Sequence, residues 1–219
     1  MNRAMKNSTP PVAAFLLTVV LAAGCAALPS SDDLDREALA AIKAAFRDEG
    51  IAKVDRIQQD LGQAACSSDK PPPDAVAEQV MAQARAGVKW PTGGQYFGDW
   101  REGEKLAQNG RGMTWTDSST APAANGGSCY NCHQISKQEI SFGTIGPSLY
   151  HYGKNRGVGD VTAVTAQPIV EYTWAKIYNS KSYSACSNMP RFGHAGLLDE
   201  KQIAHLMSLL LDPKSPVNQ

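Results

Sequence analysis

The feature that most constrains this chain of 219 residues is a Cys-x-x-Cys-His motif formed by Cys129, Cys132 and His133. The spacing is the attachment signature of a c-type haem, because two neighbouring thiols can each bond one vinyl group of the same porphyrin. The histidine that follows is placed to ligate the iron from the proximal side. A Cys-x-x-Cys pair also occurs in dithiol redox sites and in zinc sites. The sequence has no second such pair and no thioredoxin-like pattern around this one, so the motif predicts one covalently bound haem c.

The second axial position of such an iron needs a ligand, and Met189 is the predicted one. Met189 lies in a polar loop flanked by Pro190 and Gly193, just before an amphipathic helix, rather than in an apolar stripe. Ligation by His and Met raises the reduction potential, as in electron-carrying cytochromes c. The alternative ligands are Met113, His151 and His194.

A Gly-Pro turn at Gly146 and Pro147 is predicted to hold the proximal histidine. An iron-bound histidine needs an acceptor for its other ring N–H, since that bond sets the tautomer and the ring orientation. The backbone carbonyl of Pro147, in a rigid turn, is the predicted acceptor for His133. An ordinary surface turn is the alternative interpretation.

The first 24 residues have the pattern of a secretory signal peptide and are expected to lie outside the fold. A positively charged start precedes an apolar stretch at residues 12–23, which is shorter than the roughly 20 residues of a membrane span. Two cleavage patterns remain open. Residues 22–25 resemble a bacterial lipobox, which would lipidate Cys25 and anchor the protein to a membrane, whereas ordinary cleavage would fall near Ala26 or Ala27. Both patterns predict a periplasmic protein.

The remaining cysteines are predicted to form a disulfide. With the two motif cysteines on the haem and Cys25 in the signal or the lipid anchor, Cys66 and Cys186 are left. Outside the cytoplasm two leftover cysteines usually pair. This bond would hold the N-terminal part of the chain next to Met189; two buried free thiols are the alternative.

Helical patterns dominate the rest of the chain and predict an all-α protein. Residues 25–98 are interpreted as a tether and a helical N-terminal extension, and residues 99–219 as the haem domain. A capping-box spacing at Asp199 precedes a strongly amphipathic last helix, in which Met207 belongs to the apolar stripe and His205 faces solvent. The balanced charge and the lack of a basic cluster with interleaved aromatic residues give no sign of nucleic-acid binding.

The order of these elements resembles a class I cytochrome c, and three segments narrow the resemblance to SoxX, the monohaem cytochrome subunit of the periplasmic SoxAX thiosulfate-oxidising complex. The segments are Gly-Thr-Ile-Gly-Pro-Ser-Leu at 143–149, Cys-Ser-Asn-Met-Pro-Arg-Phe-Gly-His at 186–194 and Leu-Leu-Leu-Asp-Pro-Lys-Ser-Pro-Val-Asn at 209–218. Residues 110–116 fit the longer form of that family. The resemblance extends from about residue 50 to residue 218.

The resemblance implies a class I cytochrome c fold around one haem, attached at Cys129 and Cys132 and ligated by His133 and Met189. It also implies membership of an L-cysteine S-thiosulfotransferase, which oxidatively joins thiosulfate to a cysteine of a carrier protein. The catalytic haem-thiolate would lie on the SoxA-type partner chain, and no catalytic residue is expected here. This subunit would take the released electrons and pass them to a small cytochrome c.

Two other functions are compatible with the motif. One is a free-standing class I cytochrome c that shuttles electrons for another pathway. The other is a haem-based sensor or ligand-binding module, which requires an open sixth position on the iron. The sequence contains no recognisable activated nucleophile with a nearby base.

Overall fold

The computed structural model of the protein describes residues 28–112, 114–138 and 145–219. Within these ranges the regular structure is helical, with one isolated bridge between Glu49 and Ala52 and no β-strand. The protein is therefore all-α, as the sequence predicts. The predicted signal segment and Cys25 lie outside the described residues, as does Met113.

The described ranges contain seven α-helices, and short 3₁₀ turns connect several of them. The helices are α1 Ser31–Ala45, α2 Leu61–Ala65, α3 Asp74–Ala86, α4 Trp100–Gln108, α5 Tyr152–Asn155, α6 Gln167–Tyr178 and α7 Glu200–Leu211. The 3₁₀ turns are Val54–Ile57, Thr92–Gly94, Pro122–Ala124, Cys129–Asn131, Val164–Ala166, Ser180–Ser182 and Pro216–Asn218.

The chain divides into two compact units, one ending at Phe46 and the other spanning Arg47–Gln219. In the first unit the described structure is essentially α1, which begins with a capping box. The Ser30 hydroxyl accepts the Asp33 backbone N–H, and the Asp33 carboxylate accepts the Ser30 N–H. This reciprocal cap starts the helix at Ser31, within the stretch that the sequence assigns to a polar tether.

The core of the second unit is built around α6 and α7. The apolar stripe predicted for α7 is buried as expected, and Met207 is fully inaccessible. Trp174 of α6 is also buried, and its indole N–H donates to the Lys89 carbonyl at 2.9 Å. His205 lies off this stripe as predicted and is half-buried, and its Nδ1 accepts the backbone N–H of Asp99 at 2.8 Å, at the start of α4.

Helices α4 and α7 approach each other closely at Gly103. A Cβ atom at this position would lie 2.2 Å from the backbone carbonyl oxygen of His205, so only glycine permits the observed contact. The helix α4 is thereby held against the core, and its C-terminal end is fixed at the place where the Cys-x-x-Cys-His segment docks.

The division between the units lies at residue 46, whereas the sequence interpretation starts the haem domain at residue 99. Residues 47–98 belong with the second unit because side chains fasten them to the segment 180–191. Cys66 is joined to Cys186, and Lys181 Nζ donates to the Gly62 carbonyl at 3.3 Å. These contacts make residues 47–98 part of the same compact unit as residues 99–219.

Candidate haem-attachment site

The Cys-x-x-Cys-His motif forms a single tight turn. The 3₁₀ turn Cys129–Asn131 is closed by the Cys132 N–H, which donates to the Cys129 carbonyl at 3.1 Å, and the His133 N–H donates to the same oxygen at 2.9 Å. The turn is entered through Ser128, whose φ of 50° lies in the left-handed region that non-glycine residues seldom adopt. Both thiols and the imidazole thus come from one turn and are partly buried.

This turn is docked on the end of α4 through backbone hydrogen bonds. The Gly127 N–H donates to the Leu106 carbonyl at 2.8 Å, and the Ser128 N–H donates to the Asn109 carbonyl at 3.0 Å. A Cβ atom on Gly127 would lie 3.0 Å from the Cys129 sulfur. The glycine therefore leaves room for the thiol beside the helix.

The imidazole of His133 is held by the turn that the sequence singles out. Its Nδ1 is 2.6 Å from the carbonyl oxygen of Pro147, and since a carbonyl only accepts, Nδ1 carries the hydrogen. This bond leaves Nε2 as the ring nitrogen that can ligate a metal. The Gly146 N–H also donates to the Cys132 carbonyl at 2.7 Å, which fixes the turn to the motif.

Gly146 belongs to the turn that the sequence predicts, but its direct approach to the His133 ring is a contact that the sequence does not indicate. A Cβ atom there would lie between 2.3 and 2.8 Å from three atoms of the His133 ring. The backbone therefore presses on the imidazole face in a way that any larger residue would prevent. Its position before Pro147 was the signal available in the sequence, but a contact across the turn cannot be derived from spacing.

Met189 lies in a loop that is anchored at several points. The Ser180 hydroxyl donates to the Met189 carbonyl at 2.5 Å, and the Met189 N–H donates to the Ser187 hydroxyl at 3.3 Å. Further along, the Gly193 N–H donates to the Tyr178 carbonyl at 3.1 Å. Met189 is partly buried and packs against the same apolar core that Cys129 borders. The thioether and the motif cysteine therefore border one apolar cluster.

Cys66 and Cys186 form the disulfide predicted for them, with an S–S distance of 2.02 Å and a Cα–Cα distance of 5.4 Å. The cysteines that remain free among the described residues are Cys129 and Cys132. Burial raises the pKa of the Cys129 thiol to about 12, so this thiol stays protonated at neutral pH.

Two of the rival iron ligands, His151 and His194, are placed differently from Met189. The Nε2 of His151 is 2.6 Å from the Gln219 carbonyl, and its ring stacks on Tyr150 with centroids 3.8 Å apart. His151 is thus engaged in holding the C-terminus. His194 lies at the surface, where desolvation by its neighbours, followed by the charge of Arg191, lowers its pKa.

Within the described ranges, no group of three or more His, Cys, Asp or Glu side chains is arranged to hold a metal ion. Likewise, none of the helices that the structure describes combines the length and the apolar character needed to cross a membrane.

The fold and site define an all-α protein with a Cys-x-x-Cys-His turn whose histidine is oriented by a Gly-Pro segment. No family model matches the sequence. The chain is 36% identical over 167 residues to an uncharacterized lipoprotein of Aquifex aeolicus, a match that covers 74% of this chain and 73% of the relative. This protein belongs to the same family as that lipoprotein.

Proposed function

We propose that this protein is a monohaem c-type cytochrome with a class I cytochrome c fold that transfers electrons outside the cytoplasm. The observation that carries the proposal is the turn in which Cys129 and Cys132 lie beside a histidine whose Nδ1 is already engaged. Cys129 and Cys132 would hold the haem through thioether bonds, and His133 would ligate its iron through Nε2.

The surroundings of the turn fit a haem. Gly127 leaves space beside the Cys129 sulfur, and Gly146 allows the backbone to support the imidazole of His133. The bond from Nδ1–H to the Pro147 carbonyl suits a metal-binding role, since a histidine that donates its other N–H is a better metal ligand. The bound haem would supply a one-electron carrier.

Met189 is the proposed second axial ligand. Its loop is anchored through the Ser180 hydroxyl and its side chain packs at the edge of the core, rather than within the fully buried stripe that contains Met207. His133 and Met189 would together hold the iron, and ligation of this kind would favour the ferrous state. An iron held on both sides in this way would suit electron transfer and would leave no place for a substrate or a gaseous ligand.

The narrower proposal is that this cytochrome is the electron-accepting subunit of a SoxAX-type L-cysteine S-thiosulfotransferase. Its support is the resemblance of residues 143–149, 186–194 and 209–218 to SoxX. The partners would be a SoxA-type subunit with the catalytic cysteine, a carrier protein that bears the substrate cysteine, and a small cytochrome c acceptor. We further propose a lipid anchor on Cys25, supported by the lipobox-like residues 22–25 and by the lipoprotein name of the relative.

A matched pair of substitutions tests the ligation. In the haem-loaded protein, Met189→Leu should abolish the long-wavelength sulfur-to-iron absorption band and lower the reduction potential, because leucine cannot ligate iron. Met207→Leu replaces a methionine in the core with a residue of similar size and should leave both properties unchanged. A band that survives Met189→Leu would reject Met189 as the ligand.

Purification from thiosulfate-grown cells tests the narrower proposal. We expect a second c-type cytochrome to accompany this protein, and thiosulfate plus the carrier protein to reduce its haem only when that partner is present. If the protein is isolated alone and is reduced by unrelated donors, it is a free-standing electron shuttle. If the iron has an open sixth position in the resting protein, it is a sensor or ligand-binding module.

A further inference from the structure

Met189 lies in a loop of residues 185–191, which we call the methionine loop. This loop is connected, on both sides of Met189, to one short segment of the N-terminal region. We call residues 60–66 the clamp segment. On one side of Met189, Cys186 is joined to Cys66 at the end of this segment. On the other side, the Arg191 guanidinium pairs with the Asp60 carboxylate at 2.5 Å, at its beginning.

A buried lysine adds a third connection. Lys181 is 7% exposed, and its Nζ donates to the Ala185 carbonyl at 2.7 Å and to the Gly62 carbonyl at 3.3 Å. The same ammonium lies 3.9 Å from the Cys66 sulfur. A buried charge is retained only where fixed acceptors surround it, so these carbonyls define the spacing between the clamp segment and the start of the methionine loop.

The Asp60 carboxylate makes two interactions, one with each of its oxygens. Its Oδ1 accepts the Gln63 N–H at 2.8 Å and so caps α2, while its Oδ2 holds Arg191. The helix that presents Cys66 and the ion pair with Arg191 therefore begin at the same residue. In consequence, the clamp segment acts on both ends of the methionine loop as one unit.

We propose that the clamp segment keeps Met189 on the haem iron, with Asp60 and Lys181 as positioning residues. The inference rests on the proposed function, since it presumes that Met189 is an iron ligand. A thioether on a free loop would have to be ordered each time that it ligates, whereas a loop fastened at both ends has less conformational freedom to lose. Releasing the clamp should therefore allow external ligands to displace Met189.

Imidazole is a suitable probe, because it competes with the thioether for ferric iron and its binding removes the sulfur-to-iron band. Asp60→Asn retains an oxygen that can cap α2 but loses the charge that pairs with Arg191, whose side chain is 21% exposed. From the usual strength of partly exposed ion pairs, we expect imidazole to bind this variant roughly two- to fivefold more tightly than the wild type.

Asp48→Asn is the matched control. Asp48 also accepts a backbone N–H, from Val54 at 2.9 Å, and also pairs with a cation, Lys53 at 3.4 Å. Neither of these partners belongs to the methionine loop. This variant should bind imidazole as the wild type does.

Opening the disulfide should have a larger effect than Asp60→Asn, of about tenfold or more in imidazole affinity, because a covalent restraint is lost. Cys66→Ser combined with Cys186→Ser makes the change genetically. If that variant does not fold, the assembled holoprotein can be reduced, alkylated at the two released thiols and reoxidised at the iron, since thioether bonds to haem resist thiol reductants.

The outcomes separate this inference from the proposed function. Tighter imidazole binding on Asp60→Asn and on opening the disulfide, with Asp48→Asn unchanged, supports the clamp. If either perturbed protein binds imidazole with the affinity of the wild type, the clamp proposal is wrong. The ligation by Met189 survives that result as long as Met189→Leu abolishes the band. If Met189→Leu leaves the band intact, the ligation itself is wrong.

Discussion

The substitution Gly146→Ala tests how the proximal histidine is held. The added methyl group would lie 2.3 Å from Cε1 and 2.5 Å from Nδ1 of His133. Non-bonded heavy atoms of this kind lie about 3.5 Å apart or more, so the ring must withdraw by about 1.2 Å. The Nδ1 to Pro147 hydrogen bond is 2.6 Å long, and a displacement of that size breaks it.

In the proposed haem protein, the loss of this bond should weaken the interaction between His133 and the iron. Removing the hydrogen-bond partner of a metal-bound histidine typically lowers metal affinity about 10- to 100-fold. Protons compete with iron for Nε2, so each tenfold loss moves the acid transition, in which the histidine leaves the iron, upward by about one pH unit. We therefore expect the midpoint for Gly146→Ala to rise by about one to two units in a pH titration of the low-spin haem spectrum.

Gly159→Ala is the control for this titration. A Cβ atom at Gly159 meets nothing within 4 Å, and the backbone there is not in the left-handed region. Its acid transition should match the wild type. If Gly146→Ala also has the wild-type midpoint, the backbone at 146–147 does not orient His133, and the reasoning is refuted.

Three further predictions concern stability. Gly103→Ala should destabilise the protein by about 1–3 kcal/mol or more in denaturant unfolding, because the new Cβ would lie 2.2 Å from the His205 carbonyl oxygen. Reduction of the Cys66–Cys186 bond, which closes a loop over a separation of 120 residues, should lower the free energy of unfolding by up to about 5 kcal/mol in the same assay. The stabilising contribution of the Asp60 carboxylate should be present at neutral pH and vanish in acid.

The sign of the Asp60 prediction follows from its surroundings. Burial alone would raise the pKa of this carboxyl, but the Gln63 N–H and the Arg191 guanidinium outweigh burial and lower it below the usual value of 3.8. A carboxyl with a depressed pKa in the folded state stabilises the protein above the unfolded-state pKa and loses that contribution as pH falls through the folded-state value. The difference in melting temperature between wild type and Asp60→Asn should accordingly shrink below about pH 4.

Each stability prediction has an outcome that contradicts it. Gly87→Ala provides a comparison for Gly103→Ala, since its Cβ would approach no heavy atom closer than 3.4 Å; equal stabilities would contradict the close approach of α4 and α7. If reduction leaves the free energy of unfolding unchanged, the bond between Cys66 and Cys186 does not restrain the unfolded chain. A pH-independent effect of Asp60→Asn would exclude the carboxylate charge as its cause.

Local signals in the sequence are sufficient to predict where several helices begin. The capping box at Asp199 and Gln202 marks the start of α7, and the periodic apolar residues after it are buried as predicted. The prolines at residues 71–73 cannot continue a helix, and α3 begins directly after them at Asp74. In these cases one side chain caps the helix or one face meets the core, and neither depends on distant parts of the chain.

The region between α1 and α3 was predicted less well. The apolar residues between 51 and 61 recur at the spacing of a helix, but the chain forms a 3₁₀ turn at Val54–Ile57 and the short helix α2. Gly50 adopts a φ of 54°, and the bridge between Glu49 and Ala52 reverses the chain beside it. Contacts with the methionine loop, which local periodicity does not encode, then fix α2.

At the candidate site too, some features could be predicted from the sequence and others depend on contacts between distant segments. His133 and Pro147 were paired from the chemical needs of a metal-bound histidine, and Cys66 and Cys186 from the number of cysteines. In contrast, the ion pair between Asp60 and Arg191 joins residues 131 positions apart, and neither residue carries a local signal for it. Such contacts become visible only when packing brings distant segments together.

The measurement that tests the central proposal most directly is peptide mass spectrometry of the protein exported in a host that matures c-type cytochromes. We expect the peptide that contains residues 128–133 to carry the added mass of one haem, with both Cys129 and Cys132 resistant to alkylation, and the purified protein to give the spectrum of a bis-thioether haem. Recovery of that peptide without haem, with both thiols free to be alkylated, would contradict the account of this protein as a c-type cytochrome.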